Sequence, residues 1–141
     1  MRRGIRKRIS GLVLIAAGGA GAAWAQTAFL SHSEARRAMF GIEMAGVHEG
    51  DGAEWRECIS PQGVTSYVFD GVTDEGRMRI DDDGRACFRY RSSNFEREGC
   101  FTIQREGRGF RFNSGDGKPD FVARSVRRGV RSCSGADAPI S

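Results

Sequence analysis

Proton-transfer and nucleophilic chemistry have few candidate side chains in this 141-residue chain. Histidine, the usual general base, occurs only as His32 and His48, and no nucleophile is spaced to pair with either of them. The acidic side chains near His48 (Glu49, Asp51 and Glu54) show no spacing that is specific to acid–base catalysis. We therefore predict that the protein is not an enzyme and needs no cofactor.

Two acidic segments offer oxygen ligands for a cation. The segment 113–122 resembles the calcium loop of β-propeller repeats, and Asp116 and Asp120 are its candidate metal ligands, with Ser114 as a weaker third. A plain Asp-Gly hairpin turn accounts for the same residues. The run Asp81-Asp82-Asp83 is the second candidate, although three carboxylates at a hairpin end more often form a solvated edge. A cation site and ordinary acidic turns both stay open as interpretations.

The four cysteines form an even set that contains no C-x-x-C pair: Cys58, Cys87, Cys100 and Cys133. A zinc site is the alternative, but both histidines are distant in sequence from the cysteines. An even number of cysteines in a small exported domain favours two disulfides.

Most of the chain after residue 40 alternates between apolar and polar residues with a period of two, which predicts β-strands. Eight such runs are separated by turn-forming residues: 40–44, 55–59, 65–69, 78–80, 86–90, 101–103, 110–112 and 121–126. Strands at this spacing predict a mainly all-β domain. We expect an antiparallel meander that curls into a half-barrel or small barrel, because its apolar face must be covered and its edges protected.

One short helix is predicted before the strands. Ser31 and Glu34 have the S-x-x-E spacing of a capping box, apolar residues follow, and Gly41 ends the pattern. The helix should run from about Ser33 to Phe40 and cover one end of the barrel.

The strand register selects a pairing of the cysteines. If Ser93-Asn94 is the loop of a hairpin, Cys87 lies opposite Cys100 and Phe88 lies opposite Gly99, so that a large side chain meets a small one. The two cysteines then share the face opposite Phe88 and can form a disulfide. This leaves Cys58 to pair with Cys133.

Residues 1–25 have the features of a cleaved signal peptide. Five basic residues precede an uncharged, apolar run from Ile9 to Ala25, and the run ends in Ala23-Trp24-Ala25. Three glycines dilute the run, which disfavours a transmembrane anchor. Cleavage is expected between Ala25 and Gln26.

The expected product of cleavage is one domain of residues 26–141, with a polar and partly frayed tail from about 127 to 141. Its location would be periplasmic or secreted. The pair Arg2-Arg3 leaves twin-arginine export open beside the general secretory route.

Removing the leader changes the charge of the protein. The whole chain carries +4, but residues 26–141 hold 17 basic and 18 acidic side chains, a net charge of about −1. Most of the basic character that would suggest a nucleic-acid partner is therefore lost with the leader. We predict no nucleic-acid partner and no stable membrane insertion after cleavage.

Several of these features, in this order, resemble a family of small exported proteobacterial proteins known only as a domain of unknown function. The segments that carry the resemblance are 33–36 (SEAR), 46–47 (GV), 60–63 (SPQG), 76–80 (GRMRI), 86–88 (ACF), 100–101 (CF) and 109–112 (GFRF). They are mainly turn and cysteine positions, so the resemblance implies a fold and no particular chemistry.

These patterns together predict an exported, disulfide-bonded protein that binds something rather than transforms it. An envelope protein is one expected partner, with the chain acting as an accessory factor or as an inhibitor of an envelope hydrolase. The alternative is a cation-binding or small-molecule-binding β-domain that uses the acidic turns or the barrel mouth.

Overall fold

A computed structural model describes residues 28–133. These residues form the helix α1 and the eight strands β1 to β8, with bounds α1 His32–Met39, β1 Ile42–His48, β2 Glu54–Ile59, β3 Val64–Phe69, β4 Val72–Ile80, β5 Ala86–Tyr90, β6 Glu98–Glu106, β7 Gly109–Asn113 and β8 Phe121–Arg128. The predicted signal peptide, its cleavage site at Ala25 and Gln26, and the end of the tail from residue 134 lie outside the described residues. Within the described part, no helix is long and apolar enough to cross a membrane.

The strands form a closed antiparallel barrel. Each strand pairs with the next along the chain, and β8 returns to pair with β1. This confirms the mainly all-β meander and decides between the two predicted forms in favour of full closure. Closure leaves no unpaired sheet edge, and the alternating residues turn one face of every strand towards a common interior.

The helix α1 covers one end of the barrel. Its predicted capping box is confirmed, because the Ser31 side chain accepts a hydrogen bond from the Glu34 N–H while Glu34 accepts one from the Ser31 N–H. Its buried residues are Ala35, Ala38 and Met39, which belong to the same apolar core as the strands.

The β5–β6 hairpin has the predicted register with a longer loop than predicted. Cys87 faces Cys100 and Phe88 faces Gly99, but residues 91–97 and not only Ser93-Asn94 connect the strands. The last residues paired are Arg89 and Glu98, and the segment 90–97 between them is centred on Ser93-Asn94, so the pairing is unchanged. A disulfide joins Cys87 to Cys100.

The second disulfide joins Cys58 on β2 to Cys133 after β8. The strand β8 continues to Arg128, so the start of the expected tail at residue 127 still belongs to the sheet. Beyond it, Val130 is buried and its N–H donates to the Gly41 carbonyl oxygen at 3.1 Å. The segment up to Cys133 is thus fastened to the barrel.

The contact between β1 and β8 depends on a glycine. The register of this pair shifts between Ala45 and Gly46, and a Cβ atom built on Gly46 would lie 1.8 Å from the Val122 carbonyl oxygen. We expect Gly46→Ala to lower the free energy of unfolding by about 2 to 3 kcal/mol or more, because two backbones of the closing pair would have to separate. Urea denaturation measures this.

Gly99→Ala is the matched control, since a Cβ there would meet only the Phe101 ring at 3.6 Å, an ordinary contact. Equal stability of the two variants would show that the β1–β8 contact adjusts without cost.

Candidate functional site

The end of the barrel opposite α1 is called the mouth here. It is formed by four connections: 49–53, 70–71, 91–97 and 114–120. The interior beneath them contains a cavity of about 140 Å³. The rings of Tyr67, Tyr90, Phe101 and Phe121 line this cavity and are only partly buried, so the cavity opens towards solvent at the mouth.

The cavity wall is almost entirely apolar. Nine side chains line it: Met44, Trp55, Glu57, Tyr67, Phe88, Tyr90, Phe101, Phe112 and Phe121. An apolar cavity of about 150 Å³ accommodates one benzene molecule, whereas pockets for drug-sized ligands occupy roughly 300 to 1,000 Å³. The space therefore suits a molecule with about the bulk of a single ring.

The aromatic rings of the wall brace one another. Trp55 lies edge-to-face with Phe112 and Phe121, at centroid distances of 6.2 and 6.0 Å, and Phe101 lies edge-to-face with the same two phenylalanines. Such pairs are favourable beyond the area that they bury. Neighbouring rings within this group of four stand nearly at right angles, whereas Phe88 and Tyr90 are stacked, so the wall offers ring faces as well as ring edges.

Glu57 is the one lining residue with a carboxyl group, and only 3% of it is exposed. The Tyr90 hydroxyl donates to its Oε2 at 2.7 Å, and its Oε1 forms a short hydrogen bond with the Thr65 hydroxyl. Thr65 is fully buried and also lies 2.8 Å from the Cys58 carbonyl oxygen. Side chains of β3 and β5 thus bind one oxygen each of the carboxyl group that β2 carries.

Burial raises the pKa of Glu57 to about 8. The nearby negative charge of Asp74 adds to the rise in pKa, whereas the hydrogen bond from Tyr90 opposes it. Burial also raises the pKa of Tyr90 above its usual range, and the charge of Glu57 contributes to that rise. At neutral pH the carboxyl group is accordingly mostly protonated and the cavity carries no net charge.

Trp55 contributes a second buried polar atom. Its Nε1 has no hydrogen-bond partner within residues 28–133. Because this atom is itself inaccessible to solvent, it does not face the open space of the cavity. A ligand would therefore contact the apolar part of the indole ring and not its N–H group.

The candidate calcium loop forms a hairpin turn at the mouth. Asp116 is exposed with φ of 51°, and Asp120 lies 3.2 Å from the Arg111 guanidinium while accepting from the Ser114 N–H at 3.1 Å. Arg111 also contacts Glu49 at 2.7 Å. The Asp120 carboxylate is thus engaged in a network that joins β7 to the turn after β1, and the structure does not bring it together with Asp116 and a third acidic ligand.

The acidic run in the β4–β5 turn is likewise used within the turn. Asp81 accepts hydrogen bonds from the backbone N–H groups of Asp83 and Arg85, and its other oxygen pairs with the Arg85 side chain at 2.7 Å. In the described part of the chain, one group of three potential metal ligands is close enough to share an ion: Asp81 with the disulfide-bonded Cys87 and Cys100. Cysteines joined in a disulfide offer no thiolate to a metal.

The two histidines lie at opposite ends of the barrel. His48 lies at the mouth, where its Nδ1 is 2.8 Å from the Asp51 carboxylate, and His32 is the first residue of α1 at the other end of the barrel. His48 packs against Phe121 with ring centroids 4.6 Å apart. Its contacts position the β1–β2 turn beside the cavity.

Glu57 lines the cavity, but the sequence patterns did not identify it as a site residue. In the predicted strand 55–59, alternation places Trp55, Glu57 and Ile59 on one face, so that an acidic residue occupies an inward position between two apolar ones. A charge at a core position breaks the strand pattern and is a signal of a functional site. The acidic residues of the turns were the more obvious candidates for a site, but they lie on the outer surface of the barrel and do not line the cavity.

Comparisons of this chain with protein-family models, with curated proteins and with solved structures found no match.

Proposed function

We propose that this protein binds one small molecule in the mouth of its barrel. The observation that carries the proposal is the aromatic cavity of about 140 Å³ with a single held carboxyl group at Glu57. Eight-stranded barrels have an interior that is either filled by side chains or large enough for one small ligand. Here the end beneath α1 is filled, and the end at the mouth is not.

Packing argues for a binding role. A cavity in a protein core costs stability, since the lining atoms lose their contacts, and burying a carboxyl group costs more unless its hydrogen bonds are made. In this barrel the cavity and the buried carboxyl group lie at the same place, and the surrounding rings pack edge-to-face against one another. A ligand that fills the space would restore the lost contacts.

Binding fits the chemistry of the cavity better than catalysis does. Glu57 is the lining residue whose pKa allows it to transfer a proton near neutral pH, and the hydroxyl groups of Thr65 and Tyr90 bind both of its oxygens. A reaction would need a second positioned group, such as a nucleophile or an oxyanion donor, within reach of the same ligand. We therefore propose a carrier, scavenger or sensor and not an enzyme.

We further propose that the protein is exported to the periplasm or secreted. The two disulfides support this, because such bonds persist in oxidising compartments. The composition of residues 1–25 supports the same location.

The proposal is tested with two single-ring probes, benzyl alcohol and benzylammonium, by titration calorimetry and by thermal unfolding. We expect at least one of them to bind and to raise the melting temperature as its concentration exceeds Kd. Phe121→Trp, which enlarges a ring at the opening of the cavity, should weaken binding by about tenfold or more, because the ligand and the larger ring compete for the same space.

Val72→Ala serves as the control. Val72 also lies at the mouth, but 69% of it is exposed and it does not line the cavity. The variant should bind as the unaltered protein does. If neither probe binds, or if Phe121→Trp and Val72→Ala weaken binding equally, the cavity is not the site.

A further inference from the structure

Within the described part of the chain, no positively charged side chain pairs with the carboxyl group of Glu57. Among residues 28–133, the ion pairs of the arginines involve other carboxylates, and all of these lie outside the cavity. A buried carboxylate is ordinarily paired with a cation or neutralised by a proton. In the absence of a ligand the proton takes this role.

The hydrogen bonds around Glu57 suit both of its protonation states. Thr65 has one hydroxyl proton and two acceptors within reach, the Cys58 carbonyl oxygen and Glu57 Oε1. When Glu57 is protonated, it can donate to Thr65 while Thr65 donates to Cys58. When Glu57 is ionised, Thr65 can turn its proton to Glu57, and Tyr90 continues to donate to the other oxygen. The carboxylate therefore forms without rebuilding the site.

Negative charge surrounds the mouth. Its four connections contain six acidic and three basic side chains, and Arg111 on β7 pairs with two of the acids. Six negative charges thus face four positive ones, an excess of two negative charges. The negative charge of Asp74 on β4 contributes to the raised pKa of Glu57, and that of Asp51 in the β1–β2 turn contributes to the raised pKa of Tyr67. The other elements that face Glu57 contribute Tyr67 from β3, Tyr90 from β5 and the apolar Met44 from β1. Such a field attracts cations and disfavours anions.

The aromatic wall is suited to the same kind of ligand. The faces of Trp, Tyr and Phe rings attract cations, most strongly when the cation is removed from water, and sites for ammonium groups are commonly built from such rings. Seven of the nine lining side chains are aromatic. A neutral ring would pack against this wall, but it would form no charge interaction with the acidic connections or with the carboxyl group.

We propose that the ligand of this barrel is a small organic cation, an ammonium group carried on a compact apolar body, with Glu57 as its counter-charge. The inference rests on the proposed binding function and names the class of molecule that is bound. Binding replaces one positive partner of the carboxyl group by another: the cation enters, the Glu57 proton leaves to solvent, and Thr65 and Tyr90 both donate to the resulting carboxylate.

The test compares benzylammonium with benzyl alcohol, which share the ring and the side-chain length but differ in charge. Calorimetry at pH 7, in two buffers with different heats of ionisation, measures affinity and proton release together. We expect the cation to bind about tenfold or more tightly than the alcohol. It should release close to one proton to the buffer, because Glu57 is mostly protonated beforehand, and the alcohol should release none.

Two variants assign the effect to Glu57. Glu57→Gln keeps the shape and the hydrogen bonds of the protonated acid but cannot become a carboxylate, so it should lose most of the preference for the cation and release no proton. The aromatic wall and the acidic connections account for the part of the preference that remains. Glu54→Gln removes an exposed acid from the same strand and should retain the preference for the cation.

The outcomes separate this inference from the proposed function. If the alcohol binds as tightly as the cation, the barrel binds small molecules but the inference about charge is wrong. A cation preference that is undiminished in Glu57→Gln, or that appears without proton release, also overturns it. If neither probe binds, the proposed function fails as well.

Discussion

We expect the double variant Cys58→Ala/Cys133→Ala to lose about 4.5 kcal/mol of its free energy of unfolding, because the disulfide closes a loop of 75 residues. In the chain-entropy account, a cross-link between such distant residues removes many conformations from the unfolded chain. In the folded protein it fastens the segment after β8 to β2, on the other side of the closing strand β1. Urea denaturation of the oxidised protein measures the loss.

The double variant Cys87→Ala/Cys100→Ala provides the comparison. Its disulfide closes a loop of only 13 residues within one hairpin, and we expect a loss of about 3 kcal/mol. The difference between the two variants should therefore exceed about 1 kcal/mol. If the short loop proves the more stabilising, burial of the sulfur atoms and not chain entropy determines the effect, since Cys87 is fully buried.

The stability of the protein should fall as the pH rises between about 5 and 8. The pKa of Glu57 is 4.5 in the reference state and about 8 in the folded protein, so the folded protein holds the proton more tightly. Stability from this group is fully present below pH 4.5 and is lost as the pH rises through 8. The total loss should be about 4 to 5 kcal/mol, at 1.36 kcal/mol for each unit of pKa.

Glu57→Gln isolates this effect. The amide cannot ionise, so the variant should show a nearly flat free energy of unfolding over the same interval and should exceed the unaltered protein in stability at pH 8. Glu54→Gln, exposed on the same strand, should keep the slope. A slope that persists in Glu57→Gln would assign it to another group and remove the basis for a protonated carboxyl group in the cavity.

A loss of stability at low pH would come from other carboxyl groups than Glu57. Hydrogen bonds and nearby arginines hold the pKa values of Glu34, Glu49 and Glu98 below their usual range. These groups stabilise the folded protein above their unfolded pKa, and their contribution is lost as the pH falls through the folded values. Because Glu34 and Glu49 are exposed and Glu98 is partly buried at the surface, solvent screening limits their effect. The fall in stability towards high pH should therefore dominate.

Local patterns were sufficient to predict the elements of the fold. Alternation located all eight strands, the Ser31–Glu34 spacing located the helix, and the pairing of large with small residues identified the register of Cys87 and Cys100. These features depend on neighbours in the sequence, or on a hairpin whose partner strands are close along the chain. For the same reason the longer loop at 91–97 did not disturb the predicted register.

The site was not predictable in the same way. Glu57, Thr65 and Tyr90 meet because β2, β3 and β5 curve around one interior, and no spacing along the chain encodes that distance. The acidic turns had the residue types of a cation site. In the structure, however, the Asp81 and Asp120 carboxylates accept hydrogen bonds from nearby backbone N–H groups and pair with arginines.

Local sequence patterns are enough to specify the type of structure, which is a disulfide-bonded meander of short strands with one capped helix. This follows because strand alternation, turn residues and helix caps act over a few residues. Two features are visible only in the folded barrel: β8 pairs with β1, and one end of the interior stays open around a buried carboxyl group. Closure and cavities depend on how the side chains of all eight strands fill a shared volume, and that volume exists only once the barrel has formed.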